Sequence, residues 1–560
     1  MFIGEDIVAI VKFINKEFYL WFMGDVRLTV ADFFCGAGGF SEGFREKGFN
    51  VVFALDNWKP AIDTHDLNHP QCNAVLMDIL ELDTPKKIDE IVPNVDVIVG
   101  SPPCVAFSGS NKAGKADKSL GIKLIEAYLR IIAWKKKNGN LKYWILENVP
   151  NSANYIKNEY TWEELGLPGK GPTLKIPVRN VFNAAYFGAP QTRKRFVCGD
   201  YPVPEYTHDE NSWITVHDVT ESLSNPHDPT NKKLIVDPVR KDSLSLPVSK
   251  LTDHFYDSRV EEYEWSRAKR LKQDHGFMGK MSFPENIDRP SRTVMATMSA
   301  STRESMILEA RKNNKFIGYR LPTIREIATF MGFPINYQFS GNNENTKYKL
   351  VGNAVCVPLS SALAGEILKK ENKKIPKYVP IDYVEPPLNL NGQKRVAKEP
   401  SKRRMDAKFS IHIPELKIRG FRAELTNKNS NFSNGKFLWE SYIHYGSGKK
   451  AKHFLITKDI LSPFMKDSSN KKFIEDVNEA FQLNMTHGDL QRNYVMNGHA
   501  KGPTPEKILM MMKLRIDKSY PSSLFEDKNL KITFDDEKKN VPLRILAGAY
   551  ICYYFVKNLR

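Results

Sequence analysis

The sequence predicts an α/β fold in which helices cover a largely parallel sheet, joined to at least one further domain. Between Leu28 and Asp200, short runs rich in β-branched residues alternate with helical stretches, which is the pattern of a parallel sheet. The length of 560 residues is too great for one hydrophobic core and indicates two or three domains. A hydrophobic content of 41% is sufficient to form such cores.

The first strand is predicted at Leu28–Phe34, and a glycine-rich turn after it leads into a helix that begins over Glu42–Lys47. Because strands and helices alternate along the chain, neighbouring strands are expected to lie parallel. The further strands are predicted at Val51–Leu55, Val95–Gly100 and Tyr143–Glu147, and the further helices at Leu120–Lys137, Leu321–Gly332 and Pro358–Lys369.

Composition and regularity divide the chain into six segments. The alternating pattern is interrupted by an irregular stretch rich in Pro, His, Asp and Ser, and a polar, proline-containing stretch follows the last regular part. The predicted segments are an N-terminal extension (1–27), a core (28–200), the irregular insertion (201–288), the remainder of the core (289–370), a linker (371–404) and a separate C-terminal domain (405–560).

The net charge of +17, from 82 basic and 65 acidic residues, indicates a polyanionic partner. Residues 371–560 contain about 35 basic and 21 acidic residues, so this last third carries about +14 of the total. The charge is therefore concentrated near the C-terminus. A lysine-rich surface that only contacts solvent remains the alternative explanation.

Cysteine usage favours a reducing, cytoplasmic location. The six cysteines lie far apart without a Cys-x-x-Cys pair, which argues against a disulfide framework and against a zinc cluster. The apolar stretch Ile7–Met23 contains Lys12, Lys16 and Glu17, so it is too polar for a membrane span. We therefore expect no membrane association and no metal, and Met23 is a second candidate start of translation.

The glycine-rich turn Asp32–Phe40 lies between the first predicted strand and its helix. Glycines in such a turn let bare backbone and helix amides approach a ligand closely, although they also occur where segments simply pack tightly. Asp56 ends the next strand about 20 residues on, where a carboxylate can accept hydrogen bonds from both hydroxyls of a ribose. The pair indicates a nucleoside-binding site.

The segment Gly100–Ser108 carries a cysteine at the carboxyl edge of the predicted sheet, where open α/β folds bind their ligands. Cys104 follows Pro102 and Pro103, and a thiol on such a stiff loop is placed to act as a nucleophile in its thiolate form. A buried structural cysteine is the alternative. The motifs that follow favour the nucleophile.

Those motifs resemble the cytosine carbon-5 DNA methyltransferase family. They appear in the family's order as Phe34–Gly39, Pro102–Ser108, Glu147–Val149, Gln191–Arg195, Arg289–Thr293 and Gly352–Val355. The resemblance covers residues 28–370 and implies a Rossmann-like S-adenosylmethionine-dependent methyltransferase fold, with a small inserted target-recognition region over residues 201–288. It implies a DNA (cytosine-5-)-methyltransferase of a restriction–modification system, with a cognate restriction endonuclease as an expected partner.

The resemblance also implies catalytic roles. Cys104 would add to carbon 6 of cytosine, Glu147 would bind and protonate the ring at nitrogen 3, and Arg193 and Arg195 would hold the base carbonyl and a nearby phosphate. The residues expected to contact the substrate are Ser108, Asn148 and Gln191.

For S-adenosylmethionine, the resemblance implies a pocket around the glycine-rich turn. Its expected residues are Phe34, Cys35, Gly36, Ala37, Gly38, Gly39, Asp56, Asn57, Asp78, Ile79, Pro103, Asn353 and Val355. The sequence departs from the family at Val105, where glutamine is frequent, and at Asn57, where an aromatic residue is frequent. A contact from that glutamine and adenine stacking at position 57 are therefore in doubt.

Double-stranded DNA is the implied partner, and the target base has to leave the stack before it can react. A loop over Ser108–Leu120, with Lys112, Lys115 and Lys118, is expected to close over the DNA. The variable stretch 201–288 contains basic residues that face either phosphates or solvent: Arg259, Arg267, Lys269, Arg270 and Lys272.

The C-terminal domain is expected to bind DNA or to dimerise. It is basic at Lys449, Lys450 and Lys452 and aromatic at Trp439, Tyr442 and Tyr445. Two weak nuclease-like patterns are Asp517 with Glu526 and Lys528, and His487 with Asn493 and His499. The alternatives for the whole chain are an amino methyltransferase, a tRNA cytosine-5 methyltransferase and a catalytically silent DNA-binding regulator; the oligomeric state is not predicted.

Overall fold

In the computed structural model of the chain, the described residues form two compact units. They are residues 27–103, 117–228, 233–273, 280–397, 402–446, 451–482, 484–497, 499, 502–525, 527–535 and 537–560. Unit 1 comprises the chain up to Val260, Pro284–Ala300 and Ser305–Arg395, and unit 2 comprises Glu261–Phe283, Ser301–Glu304 and Val396–Arg560.

A seven-stranded sheet forms the centre of unit 1, with strand order β3-β2-β1-β4-β5-β9-β8. Its strands are β1 (Thr29–Phe33), β2 (Asn50–Asp56), β3 (Asn73–Leu76), β4 (Val97–Gly100), β5 (Tyr143–Asn148), β8 (Val178–Asn183) and β9 (Lys194–Asp200). The first five strands are parallel and β9 runs antiparallel to both of its neighbours. The predicted α/β class is confirmed, and the antiparallel β8–β9 pair is an addition that the alternating pattern did not indicate.

Helices cover both faces of this sheet. Because side chains alternate across a strand, Val97 and Val99 of β4 contribute to one core while Ile98 contributes to the other. Both cores are made of residues that are almost fully buried. The helices of unit 1 are α1 (Gly39–Glu46), α2 (Lys59–Asn68), α3 (Pro85–Ile91), α4 (Ser119–Asn138), α5 (Val216–Leu223), α7 (Ile324–Phe330), α8 (Glu344–Asn353) and α9 (Val357–Lys370).

Short two-stranded sheets occupy the less regular parts of unit 1. They pair β6 (Glu159–Tyr160) with β7 (Leu174–Lys175), β10 (Leu234–Val236) with β11 (Ser245–Pro247), and β12 (Leu308–Lys312) with β13 (Lys315–Arg320). The stretch Glu344–Lys370, which contains α8 and α9, is long and apolar enough to cross a membrane, but 78% of its apolar window is buried within the protein. It is therefore placed as a core element of unit 1.

Residues 371–395, which the sequence analysis assigned to a linker, are part of unit 1. Leu390 is 4% exposed and belongs to one of the two cores. The Asn391 side chain accepts hydrogen bonds from the amides of His254 and Phe255, both at 2.9 Å, and donates to the Leu251 carbonyl oxygen at 2.7 Å. The stretch is therefore attached to the segment 251–257 by hydrogen bonds of its side chains and of its backbone, which include the Gly392 amide donating to the Phe255 carbonyl oxygen at 2.8 Å.

Unit 2 is built on a four-stranded antiparallel sheet with helices packed on its apolar face. Its strands are β14 (Ser410–His412), β15 (Phe421–Thr426), β16 (Glu440–Tyr445) and β17 (Lys452–Leu455), followed by the hairpin β18 (Asn529–Phe534) and β19 (Glu537–Pro542). Its helices are α6 (Glu262–Gln273), α10 (Lys458–Lys466), α11 (Lys471–Ala480), α12 (His487–Met496), α13 (Pro505–Ser519), α14 (Ser522–Phe525) and α15 (Leu543–Lys557). Helix α6 comes from the irregular insertion, so unit 2 is larger than the predicted C-terminal domain.

Candidate active site

The carboxyl ends of β1, β2, β4 and β5 meet at one edge of the sheet in unit 1. In this sheet β1 lies between β2 and β4, so the strand order reverses between β1 and β4, and open α/β sheets bind ligands beyond the strand ends at such a point. The glycine-rich turn follows β1, Asp56 ends β2, Ser101 follows β4, and Glu147 lies at the end of β5. The fold thus brings together residues that are up to about 120 positions apart in the sequence.

The first part of the glycine-rich turn borders open space. Phe34 and Gly36 have left-handed backbone conformations, with φ of 55° and 53°, and the Cys35 amide donates to the Leu55 carbonyl oxygen at 3.1 Å. A Cβ placed on Gly36 would meet no atom closer than the Phe34 carbonyl oxygen, at 3.9 Å. A ligand can therefore approach the backbone here.

The residues in the second part of the turn pack against other segments of the protein. A Cβ on Gly38 would overlap the hydroxyl of Tyr337, and one on Gly39 would overlap the carbonyl oxygen of Val355. The Tyr337 hydroxyl also donates to the carbonyl oxygen of Ala37 at 2.6 Å. These residues were expected to line a cofactor pocket, and the structure instead gives Ala37, Gly38 and Gly39 contacts with segments about 300 residues away.

Asp56 ties the end of β2 to the glycine-rich turn. Its carboxylate accepts hydrogen bonds from the Gly36 amide at 3.0 Å and from the Trp58 amide at 2.9 Å. Burial raises the pKa of this carboxyl group, and the two amides counteract that rise. Asn57 is exposed, and the ammonium group of Lys349 lies 4.4 Å from the centre of the Trp58 ring.

Asp78 and Ile79 follow β3, the neighbour of β2. Asp78 caps a short 3-10 turn, accepting from the Leu80 amide at 3.0 Å, and its own amide donates to Glu81 at 3.3 Å. Ile79 is 1% exposed and packs in the core. Asp78 is thus placed at the same sheet edge as Asp56, whereas the Ile79 side chain points into the protein.

Glu147 is the most strongly positioned acid at this edge. It is 5% exposed at the end of β5, one of its oxygens lies 2.8 Å from Nε of Arg195, and the other accepts from the Ser101 hydroxyl at 3.0 Å. Arg195 is in turn fixed by a hydrogen bond from its Nη1 to the Lys194 carbonyl oxygen at 2.8 Å. The arrangement holds a carboxyl group and a guanidinium side by side.

Asn148 supports the loop that leads to Cys104. Its side-chain amide donates to the carbonyl oxygen of Pro102 at 3.0 Å, and its side-chain oxygen accepts from the Val149 amide at 2.8 Å. Asn148 is 1% exposed, and these two bonds give it a positioning role on the loop. Pro103 is exposed at the end of the described loop, and Cys104, Ser108 and the lysines Lys112 and Lys115 lie outside the described residues.

Arg193 binds backbone carbonyl groups inside the protein. Its guanidinium donates to the carbonyl oxygens of Val294 at 2.9 Å and of Gly352 and Ala354, both at 3.1 Å, and the residue is 3% exposed. Gln191 is fully buried; its side chain accepts from the Val294 amide and donates to the Phe330 carbonyl oxygen. Arg193 and Gln191 therefore hold the segments around Val294 and Ala354.

The segment after α8 approaches the site from the other end of the core. Asn353 is exposed and Val355 is 4% exposed, and a Cβ on Gly352 would overlap the Met295 carbonyl oxygen. Arg193 therefore fixes this segment against both α1 and the Met295 backbone.

Sequence reasoning missed two residues of the site. Ser101 directly precedes the two prolines and binds Glu147, so its position next to the motif was a usable signal. Tyr337 supports the glycine-rich turn and also lies 3.2 Å from Nε2 of His69. Nothing local in the sequence marks Tyr337, because its partners are distant in the chain.

The nuclease-like residues of unit 2 have other partners. The carboxylate of Asp517 pairs with Lys513 and Arg544, and Nδ1 of His487 accepts from the Trp439 amide at 3.0 Å. Glu526, Lys449 and Lys450 lie outside the described residues. Within the part of the chain that the structure describes, no group of three His, Cys, Asp or Glu side chains is arranged to hold a metal ion.

The sequence is similar to known methyltransferases. A family model described as C-5 cytosine-specific DNA methylase matches residues 28–369. The type II methyltransferase M.MthTI of Methanothermobacter thermautotrophicus is 28% identical over 61% of this chain and 98% of its own length. The type II methyltransferase M.DdeI of Desulfomicrobium norvegicum is 27% identical over 61% of this chain and 88% of its own length. Among solved structures, the Dnmt2 methyltransferase of S. pombe aligns at 19% identity and a TM-score of 0.39, covering 62% of this chain and 100% of its own.

Proposed function

Because the chain belongs to the C-5 cytosine-specific DNA methylase family and is thus a DNA cytosine-5 methyltransferase, we propose that it methylates a cytosine rotated out of duplex DNA, with Cys104 as nucleophile and S-adenosylmethionine as methyl donor. The observation that carries this proposal is the Glu147–Arg195–Ser101 arrangement beside Pro102, two residues before Cys104. Relatives named as type II methyltransferases support a place in a restriction–modification system, with a cognate endonuclease as partner.

The residues at the sheet edge suit the chemistry that cytosine requires. The Cys104 thiolate adds to carbon 6 of the ring. The ring electrons that this addition displaces move to nitrogen 3, which takes a proton from Glu147. Arg195, 2.8 Å from the Glu147 carboxyl group, orients that group. Ser101 holds the second oxygen, so only one rotamer of Glu147 is supported.

The later steps return the enzyme to its starting state. Carbon 5, made nucleophilic by the addition, would form a bond to the methyl group as the bond between that methyl and the sulfonium sulfur breaks and its electron pair stays on sulfur. A base would then remove the carbon 5 proton. The electrons of that carbon–hydrogen bond restore the ring double bond as the bond between carbon 6 and the Cys104 sulfur breaks. The thiolate is regenerated and the ring nitrogen gives back its proton.

The turn after β1 fits an adenosyl group, by two observations. Gly36 borders open space. The Asp56 carboxylate accepts hydrogen bonds from nearby backbone amides, and a carboxylate has about four acceptor sites in all, so it can also accept from a ribose hydroxyl. Bound S-adenosylmethionine would supply an electrophilic methyl group on sulfur. Phe34, Asp56 and Asp78 would hold its nucleoside part, and the Val355 segment would limit the depth of the pocket. The five described cysteines are free thiols, which suits the reducing cytoplasm where the enzyme would meet DNA.

Bisulfite sequencing of DNA from a methylation-deficient host that expresses the chain tests this proposal directly. We expect 5-methylcytosine at one short sequence, loss of that signal in Cys104→Ser, and its retention in Cys72→Ala, which removes a thiol elsewhere. A covalent adduct with 5-fluorocytosine DNA should require Cys104. Full methylation by Cys104→Ser would exclude Cys104 as the nucleophile. Methylated tRNA together with unmodified DNA would show that DNA is not the substrate.

A further inference from the structure

Helix α6 belongs to the variable insertion in sequence and to unit 2 in structure. The chain passes between the two units at five positions, after residues 260, 283, 300, 304 and 395. A domain that is simply appended to a core needs one such passage. Unit 2 is therefore assembled from the C-terminal region together with two segments that precede α7.

Contacts with the C-terminal region hold α6 in place. Its buried side chains, Glu264, Ala268 and Lys272, are spaced four residues apart and so form one stripe. The ammonium group of Lys269 lies 2.9 Å from the carboxylate of Glu415. A 12-residue helix with one apolar residue in its buried stripe has little stability alone, so α6 depends on contacts with the rest of unit 2, including Glu415 and Arg303, which donates to the Leu271 carbonyl oxygen at 3.0 Å.

Basic residues from both parts of unit 2 are near enough to the same two side chains to act on them electrostatically. Arg270 of α6 acts electrostatically on both His412 and Tyr494. Lys417 and Arg422 also act on His412, and Arg267 and Arg403 also act on Tyr494. Burial, followed by the charge of Arg422, lowers the pKa of His412 to about 4, so this imidazole is neutral at neutral pH. We call Arg267, Arg270, Lys417 and Arg422 the basic cluster.

The acids close to the basic cluster already have partners. Glu415 pairs with Lys269, Glu424 lies 3.2 Å from Nε2 of His444, and Glu506 pairs with Arg403 at 3.0 Å. Within the described parts of the chain, Arg267, Lys417 and Arg422 have no acidic side chain in ion-pair distance. Arg267 and Lys417 are exposed. Arg267, Lys417 and Arg422 therefore give this surface a surplus of positive charge, which phosphates neutralise with release of counterions.

We propose that residues 261–283 and 396–560 form one DNA-recognition unit, in which the basic cluster binds the phosphate backbone of the duplex that the enzyme methylates. The proposal rests on the proposed function for the identity of that duplex. It makes the C-terminal region part of target recognition, because the region positions α6 and supplies half of the phosphate contacts. The occupant is duplex DNA because Arg267, Lys417 and Arg422 add positive charge to this surface that described acids do not pair, and contacts between such side chains and phosphates position a protein on a duplex.

Two triple variants of the full chain test the surface. R267A/K417A/R422A removes three charges from the basic cluster, and the matched control K458A/K466A/K471A removes three exposed charges from α10 and α11 of the same unit. At about 0.1 M salt we expect the first variant to bind the methylated duplex at least about tenfold more weakly, with a salt slope lower by about 2 to 3, and the control to change less than about twofold. Equal losses in both variants, or no loss in the first, would overturn the proposal.

Hydrogen exchange of the unaltered chain supplies a test that does not depend on how the variants fold. With the duplex bound, peptides covering 262–273 and 410–428 should gain protection together, while peptides covering 458–471 should not. Protection of only one of the first two segments would overturn the assignment to one unit. Methyl transfer by the unaltered chain is measured in parallel: its absence would count against the proposed function, whereas normal transfer with unchanged affinity in the cluster variant counts against this inference alone.

Discussion

At the scale of single residues, a buried polar network lies beneath the glycine-rich turn. The Asp32 carboxylate accepts from the Ser41 amide at 3.2 Å and from the Ser41 hydroxyl at 2.7 Å, and that hydroxyl lies 2.9 Å from Nε2 of His65. Burial raises the pKa of Asp32 to about 7, and the Ser41 hydrogen bonds limit the rise. Asp32 is 1% exposed, so folding favours its protonated form.

This network makes stability depend on pH. A carboxyl group whose pKa is raised from 3.8 to about 7 on folding contributes most below pH 4, and its contribution is lost as pH rises to about 7. We expect the free energy of unfolding to fall by about 1–4 kcal/mol over this range. In Asp32→Asn the fall should be smaller. Chemical denaturation at several pH values measures it, and identical pH profiles for the two proteins would show that Asp32 is ionised in the folded state.

Glu147 permits a second test at this scale. Glu147→Gln keeps the size of the side chain and removes the acidic proton, so we expect kcat to fall by about 10²- to 10⁴-fold with little change in DNA affinity. Glu159→Gln changes an exposed acid on β6 and serves as the control. Single-turnover methyl transfer and DNA binding are measured on the same preparations. A Glu147→Gln rate within twofold of the unaltered enzyme would assign proton donation to another group.

At the scale of elements, the start of α1 is in contact with the segment after α8. Gly39 begins α1, and its Cα lies so close to the Val355 carbonyl that no Cβ fits. Gly43, one turn later, is equally restricted by Ser360 of α9. The pairing of α1 with α9 therefore depends on glycine at two successive turns, and it brings two sequence motifs that are more than 300 residues apart to one place.

Gly39→Ala tests this contact. The added Cβ would have to displace backbone, so we expect a loss of stability of about 2–4 kcal/mol and weaker S-adenosylmethionine binding by calorimetry. Gly365→Ala is the matched control, since it lies in the interior of α9 and its Cβ would meet no atom closer than 3.7 Å. Alanine there should leave stability unchanged or raise it by about 0.5–1 kcal/mol. Equal melting temperatures for both variants would show that α1 and Val355 separate easily.

At the scale of the whole molecule, residues 371–395 secure unit 1. Asn391 makes three hydrogen bonds to the segment Leu251–Phe255, and Asn389 accepts from the Asp253 amide at 3.1 Å. Asp253 itself is buried against the ammonium group of Lys347 at 2.7 Å. A stretch without regular structure thus connects the end of the core to the part of the insertion that belongs to unit 1.

Asn391→Ala should lower the free energy of unfolding by about 1–3 kcal/mol, because two buried amides and one carbonyl lose their partner. Gln393→Ala, which removes one exposed hydrogen bond two residues later, should change it by less than about 0.5 kcal/mol. Thermal denaturation of the full chain followed by circular dichroism compares them. If Asn391→Ala, Gln393→Ala and the unaltered protein have the same melting temperature, the stretch behaves as the linker that its composition predicts.

The sequence by itself determined the elements of the sheet and the order of the motifs. Strands β1, β2, β4 and β5 lie within two residues of their predicted starts and ends, because alternation of apolar residues and glycine-rich turns are local properties of the chain. The same reasoning placed Asp56 and Glu147 at strand ends, since the end of a strand is readable from its own residues.

Only the tertiary structure decided what each polar group contacts. The motif contains Arg193 and Gln191 whether their side chains bind a ligand or backbone groups, so the motif alone does not distinguish the two cases. In the structure both side chains are buried and bind backbone groups of Val294 and Ala354. Tyr337 reaches Ala37 across 300 residues, and α6 joins unit 2 through Lys269 and Glu415. These outcomes depend on which distant segments share a surface, and local periodicity contains no information about that.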